Sequence, residues 1–117
     1  MRRSLEKAVS LFSAIKHLRG HDCANFIGHL DDSGIEILCK IIHYLLNGYF
    51  ELSKRVRGRL KGKIKSHLKE FKKLAVYPKQ KSDITKKRKV LQRGGIIGVL
   101  TAIASAVIPL ITKLLIQ

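Results

Sequence analysis

The chain has 117 residues and a formal net charge of +16, with 24 Lys and Arg against eight Asp and Glu. This length suits one domain with an appendage at most. The sequence shows no nucleophile–base pair and no phosphate-cradling loop, which argues against an enzyme. Aromatic residues make up only 6% of the chain, so the core is expected to be mostly aliphatic.

The charge divides the chain into three segments. Residues 1–52 carry six basic and six acidic side chains, residues 53–93 carry 17 and two, and residues 94–117 carry only Lys113. We therefore predict a neutral helical bundle, a cationic nucleic-acid-binding segment and a hydrophobic tail helix with these bounds. A surface that serves only solubility usually mixes both signs of charge. The middle segment therefore indicates a polyanionic partner, either phosphates or anionic lipid.

Hydrophobic periodicity predicts an all-α fold that begins with a small helical bundle over about residues 4–48. The first helix ends near Gly20 and has apolar side chains on one face at Leu5, Ala8, Val9, Phe12 and Ile15. This amphipathic start disfavours a cleavable signal. Asp22 can cap a short second helix, whose apolar positions are Cys23, Phe26, Ile27 and Leu30.

The third helix has the most regular apolar pattern, at Ile35, Leu38, Cys39, Ile42, Leu45 and Leu46. Ser33 and Glu36 have the spacing of a capping box, in which each side chain satisfies a free amide of the first turn. Asp31 and Asp32 are interpreted as charges at the helix start. Asn47-Gly48 supplies a left-handed stop.

A long basic amphipathic helix is predicted from Ser53, with one apolar stripe and cations on its other faces. The stripe consists of Val56, Leu60, Ile64, Leu68, Phe71 and Ala75. Gly58 and Gly62 each weaken this helix by roughly 1 kcal/mol relative to alanine. Tyr77-Pro78 ends it, and a short basic helix then begins at Ser82 or Asp83 and runs to Leu91.

The cations of these two helices are the predicted DNA-binding residues. Lysine outnumbers arginine, and the only aromatic residues in the segment are Phe71 and Tyr77. This composition favours sequence-independent contact with the backbone of double-stranded DNA over base readout or stacking. The predicted contacts are Lys54, Arg55, Arg57, Arg59, Lys61, Lys63, Lys65, Lys69, Lys72, Lys73, Lys86, Lys87, Arg88 and Lys89.

The tail, a C-terminal apolar helix, is a candidate membrane span. The 19 residues from Gly94 to Thr112 carry no charge, and about 20 apolar residues cross a bilayer core. A ridge of small residues would let helices approach closely in lipid. The predicted packing residues are Gly98, Ala102 and Ala106 on the ridge, with Ile96, Leu100, Ile103, Val107 and Leu110 opposite. The alternative is a core helix buried against the N-terminal bundle.

The histidines and cysteines give a weaker signal. His17, His21, Cys23 and Cys39 can be arranged as a zinc site, but the histidine pair has no Cys-x2-Cys or second pair to complete it. Neither a metal nor another cofactor is therefore predicted. Cys23 and Cys39 fall on core-facing positions of adjacent helices, which favours buried free thiols over a disulfide.

The run KKRKVLQRGGII from Lys86 to Ile97, followed by an apolar tail with Pro109, resembles a small protein encoded by adintoviruses and by polinton/Maverick transposable elements. That protein is similar to the adenovirus minor core-protein (mu, or X) precursor, whose basic stretch ends at Arg-Gly-Gly before an apolar tail. The resemblance extends over about residues 12–112 and is firmer after residue 80. Its earlier features are Asp31-Asp32, the helix with Cys39, Leu46-Asn47-Gly48 and Phe71-Lys72-Lys73-Leu74-Ala75.

The resemblance implies a non-enzymatic virion component that accompanies packaged DNA, in the virion or the host nucleus, beside capsid proteins. It also implies cleavage after Gly94-Gly95 by an adenain-like cysteine protease, and a membrane-active or docking tail. Residues without a β-carbon fit the narrow tunnel of such an enzyme. Adenovirus-type sites usually have Met, Ile or Leu four residues before the cut, where this chain has Gln92. A flexible stop between helices is the alternative reading of the two glycines.

Two functional classes stay open from the sequence. One is the DNA-associated virion core protein. The other is a tail-anchored membrane protein with a polybasic helix on the cytosolic face of an internal membrane, where anionic lipid contributes about 1 kcal/mol per Lys or Arg. The lysine density exceeds what membrane topology requires, which favours the first class.

Overall fold

Seven α-helices make up the part of the chain that the computed structural model describes, residues 2–76 and 81–116. No strand occurs within those ranges, which confirms the all-α prediction. The predicted break at Tyr77-Pro78 lies outside the described residues. The helices are α1 (Arg2–His17), α2 (Gly20–Gly28), α3 (Asp32–Leu46), α4 (Lys54–Lys65), α5 (Leu68–Ala75), α6 (Lys81–Leu91) and α7 (Gly94–Ile116).

The caps of α2 and α3 differ from the predicted ones. α2 begins at Gly20, two residues before Asp22, and the φ of +48° at Gly20 gives the turn from α1 a conformation that glycine adopts without strain. Asp31 is the N-cap of α3, and its carboxylate accepts a hydrogen bond from the Gly34 amide at 2.8 Å. The predicted capping box at Ser33 is therefore wrong, because Ser33 already lies inside the helix.

The predicted long basic helix is divided into α4 and α5 by a turn at residues 66–67. Its start is confirmed, since the Ser53 hydroxyl accepts a hydrogen bond from the Val56 amide at 3.3 Å. A straight helix over residues 54–75 would be about 33 Å long at 1.5 Å per residue. The whole molecule measures 34 × 31 × 28 Å. The turn lets α4 pack on α7 while α5 packs on α3 and α6.

The tail helix α7 packs into the bundle, where it contacts α1 most extensively and also α2, α4 and α6. The side chains that it contributes to the core include Ile96, Leu100, Ile103, Val107 and Ile111. In this fold α7 therefore takes the core-helix alternative. The three segments defined by charge pack around one shared hydrophobic core.

The core is mostly aliphatic, as the composition predicts. Of the twelve largest fully buried side chains in the described part of the chain, two are phenylalanines and the others are Ile or Leu. Phe12 comes from α1 and Phe71 from α5, so the neutral segment and the cationic segment each contribute one fully buried aromatic ring. Such side chains form no hydrogen bonds, and Lys87 is the buried charged side chain among the described residues.

Candidate nucleic-acid interface

Helix α4 presents most of its circumference to solvent. Leu60 and Ile64 are buried and Val56 is half-buried, and these three form one narrow stripe because residues four apart are neighbours on a helix. α4 contains no acidic residue. Its seven cationic side chains are all exposed: Lys54, Arg55, Arg57, Arg59, Lys61, Lys63 and Lys65.

The next two helices extend the positive charge. Lys69, Lys72 and Lys73 of α5 are exposed, as are Lys86 and Lys89 of α6. α4 contacts α5 and α5 contacts α6, so these cations lie on successive neighbouring helices. We call the twelve exposed cations of α4, α5 and α6 the cationic surface. Phe71 is fully buried, so it offers no ring on which a base could stack.

Lys87 was predicted to bind DNA, but the structure places it inside. Its side chain is 8% exposed, and its ammonium donates hydrogen bonds to the carbonyl oxygens of Lys73 and Leu74, each at 3.0 Å, and of Val76. These carbonyls lie at the end of α5, where a helix leaves its last carbonyl groups without internal partners. Lys87 therefore caps α5 and does not belong to the cationic surface.

Arg88 has a similar role at the end of α2. Its guanidinium donates to the carbonyl oxygens of Ile27 at 3.2 Å and of Leu30, and it pairs with the Asp32 carboxylate at 3.2 Å. This prediction also needs correction, because the donors that would bind phosphate are already engaged. The KKRK run thus divides into an outward pair, Lys86 and Lys89, and an inward pair.

The predicted cleavage site lies in the first turn of α7. Gly94 and Gly95 are exposed, whereas the side chain of Ile96 is 1% exposed. A β-carbon on Gly95 would approach the His67 ring to 2.7 Å, so a larger residue there would have to displace the side chain of α5's N-cap residue. Gln92 donates a hydrogen bond to the Ala24 carbonyl at 3.0 Å. A protease that binds an extended chain would have to unwind this turn.

The predicted small-residue ridge of α7 faces outward. Gly98 is exposed and Ala102 and Ala106 are half-buried. On the other side Ile96, Leu100, Ile103 and Val107 are buried, while Leu110 is half-buried. α7 is long and apolar enough to cross a membrane, and 44% of its most apolar window is buried in the bundle. Length and composition therefore do not separate a span from a core helix.

Cys23 and Cys39 are free and buried, as predicted. Burial raises the pKa of the Cys23 thiol, and it raises the pKa of Cys39 to about 11. Both thiols are therefore protonated and poorly nucleophilic at neutral pH. Within the described ranges, no three His, Cys, Asp or Glu side chains are grouped so that they could hold a metal ion.

No protein-family model matches the chain, and no curated protein or solved structure is significantly similar to it. Among the described residues, the feature that bears most directly on function is the cationic surface of α4, α5 and α6. Binding of polyanions by this surface can be measured directly on the purified protein.

Proposed function

We propose that this protein binds the backbone of double-stranded DNA without sequence preference, and that it does so without being an enzyme. The observation that supports the proposal is α4, on which seven exposed cations occur with no carboxylate. Like charges so close together destabilise a helix. A bound polyanion would remove this repulsion, so the arrangement favours binding over solubility alone.

The chemistry of the cationic surface supports contact with phosphates. Nine of its twelve side chains are lysines, which act as point charges on flexible stems rather than as planar forks for base edges. Binding would be driven by release of counterions from the DNA. Affinity would then fall with salt, with a slope near −0.9 for each phosphate neutralised on duplex DNA.

A triple substitution on α4 tests the proposal. We expect Arg55→Gln, Arg59→Gln and Lys63→Gln together to lower the magnitude of the salt slope by about 3 on random-sequence duplex DNA. The matched control carries the same change of net charge at three exposed cations elsewhere: Arg3→Gln, Lys16→Gln and Lys113→Gln. DNA affinity that does not change with salt concentration would contradict the proposal. An equal decrease of the salt slope in the two triple variants would also contradict it.

The biological setting is a further part of the proposal, and it depends on the resemblance of residues 86–97 and the tail. We place the protein in a virion, with packaged DNA, where α7 would dock on capsid proteins or act on membranes. Insertion into a membrane requires the buried side chains of α7 to leave the bundle, whereas docking on capsid proteins can use its exposed face. Co-sedimentation of the protein with virion DNA supports this setting, and its absence from DNA-containing particles would remove it.

Cleavage after Gly95 is testable on the same protein. An adenain-like protease from a polinton-type element should release residues 96–117, which mass spectrometry would detect. Because Ile96 is buried and the bond lies in a helix, we expect cleavage to become faster in mild denaturant. A chain that stays intact under both conditions would contradict the processing step but not DNA binding.

The alternative is a tail-anchored membrane protein, and α7 itself is the observation that favours it. This helix has 23 residues, of which Lys113 is the only charged one. Insertion would expose the apolar face of α1 that α7 covers. Membrane association that resists carbonate, together with absence from DNA-bound fractions, would support the anchor over the DNA-binding proposal.

A further inference from the structure

The outermost line of α4 carries two glycines. Leu60 marks the inward direction of this helix, and at 100° per residue Gly58 and Gly62 each lie about 160° away from it, one on either side. Both are exposed, and a β-carbon at either position would meet no atom within 4 Å. We call this line, which has no side chains, the crest of α4.

The fold does not explain these glycines. The glycines with positive φ are Gly20 and Gly48, so the backbone at the crest is one that any residue can adopt. No neighbouring side chain occupies the space that a larger residue would fill. Glycine inside a helix costs roughly 1 kcal/mol relative to alanine. The protein therefore retains two destabilising residues where its own packing would accept alanine.

Cations border the crest on both sides. The same helical geometry places Lys54, Lys61 and Lys65 at about 100–140° from Leu60 on one flank, and Arg55 and Arg59 at similar angles on the other. The helix runs about 18 Å over its twelve residues. The outward face thus consists of two positive rows with a bare strip of backbone between them.

We propose that α4 lies lengthwise in the major groove of duplex DNA, with its crest toward the groove floor and its two rows toward the phosphates of the two strands. This inference rests on the proposed function and specifies its geometry. The major groove is about 12 Å wide and admits an α-helix, whose own diameter is about 10–12 Å. Because the crest has no side chains, the helix can sit deeper in the groove. The cationic side chains of each row then need to extend only a short distance to contact the phosphates of one strand.

The same geometry accounts for binding without sequence preference. A helix in the major groove reads bases through the side chains that face the base edges. Gly58 and Gly62 provide none, so the contacts are restricted to phosphates, which carry no sequence information directly. A flat anionic bilayer has no pair of walls for the two rows and would gain nothing from a bare crest.

Filling the crest tests the inference. Gly58→Gln combined with Gly62→Gln adds two uncharged side chains and leaves the net charge unchanged. Because glutamine is a better helix former and the space is open, we expect the melting temperature to rise. Affinity for random-sequence duplex DNA should fall at least tenfold. Gain of stability with loss of binding would distinguish a contact surface from a packing defect.

Gly98→Gln is the matched control. Gly98 is also exposed, helical and open to a β-carbon, but it lies on α7. Its substitution should raise stability and leave DNA affinity unchanged. In a second measurement, dimethyl sulfate reports access to guanine N7, an acceptor in the major groove. We expect wild-type protein to protect guanine N7 and the double glutamine variant to protect it less.

The outcomes separate the two levels of the proposal. A double variant that binds duplex DNA as tightly as wild type, or wild type that leaves guanine N7 unprotected, overturns groove insertion while DNA binding stands. Absence of duplex binding by wild type overturns the proposed function itself. An equal loss of binding to phosphatidylserine vesicles would also overturn groove insertion. If the double variant lost helicity, Gly58→Ala with Gly62→Ala gives the same test with smaller side chains, and we expect at least a threefold loss of DNA affinity.

Discussion

The substitution Lys87→Met separates two roles of a lysine that lies within the basic run. Methionine has a similar length and can fill the apolar part of the site, but it removes the ammonium. In the wild type that ammonium donates to the carbonyl groups of Lys73, Leu74 and Val76 at the end of α5. The variant leaves these partly buried acceptors without their donor while keeping the packing nearly constant.

We expect Lys87→Met to lower the free energy of unfolding by about 2–4 kcal/mol. A hydrogen bond to a charged group contributes about 1.5–3 kcal/mol, and three such bonds share one ammonium whose own burial is unfavourable. For a domain of this size, each kcal/mol lowers the melting temperature by roughly 4 °C. The melting temperature should therefore fall by roughly 8–16 °C.

Thermal and urea denaturation followed by circular dichroism measure this change, and Lys89→Met is the control. Lys89 is exposed two residues further on, so its substitution should change stability by no more than about 0.5 kcal/mol. In DNA binding we expect the opposite order, with the larger effect from Lys89→Met. Lys89→Met should lower the salt slope by about 1, whereas Lys87→Met should leave it unchanged below its melting temperature. Equal stabilities of the two variants would refute the capping role of Lys87.

Three further predictions concern pH, thiol chemistry and a turn. The hydrogen bond from the Gly34 amide, with Lys7 nearby, holds the pKa of Asp31 below its usual range. The ionised Asp31 carboxylate therefore stabilises the fold above about pH 4, and this contribution is lost as the pH falls through the lowered pKa. Asp31→Asn keeps the cap and should weaken this acid dependence in denaturation measured from pH 5 downward. Burial raises the pKa of Cys39 to about 11, so iodoacetamide at pH 8 should modify native Cys39 at least tenfold more slowly than the unfolded thiol; equal rates would contradict its burial. Gly48 has a φ of +74°, so Gly48→Ala should destabilise the protein by about 1 kcal/mol in urea denaturation and Gly48→Asn by less.

The limits of helices could be predicted from local patterns only where local interactions decide them. Ser53 caps α4 as predicted, because a cap depends on the first turn alone. The turn after Lys65 could not be predicted, since the apolar stripe from Val56 continues in register through Phe71. The two halves pack on different partners, α4 on α7 and α5 on α3 and α6, and these contacts are not visible in a one-dimensional pattern.

For Lys87 and for the tail, residue type alone does not predict whether a side chain lies in the core or at the surface. Lys87 lies between the buried Ile84 and Leu91 at helical spacing, so its position already indicated an inward side chain although its charge did not. The composition of α7 suits a bilayer and a protein core equally, because both remove apolar side chains from water. The apolar face of α1 that receives α7 becomes apparent only in the folded arrangement.

The pairing of α1 with α7 also affects how the chain reaches its fold. The most extensive helix contact joins two elements separated by the 76 residues between His17 and Gly94, so a long loop must close before this contact forms. That loop contains the cationic segment. Its Lys and Arg side chains repel one another, which favours an expanded unfolded chain. Screening by salt should therefore ease loop closure while it weakens the hold on DNA. Ionic strength thus acts in opposite directions on assembly of the bundle and on its proposed task.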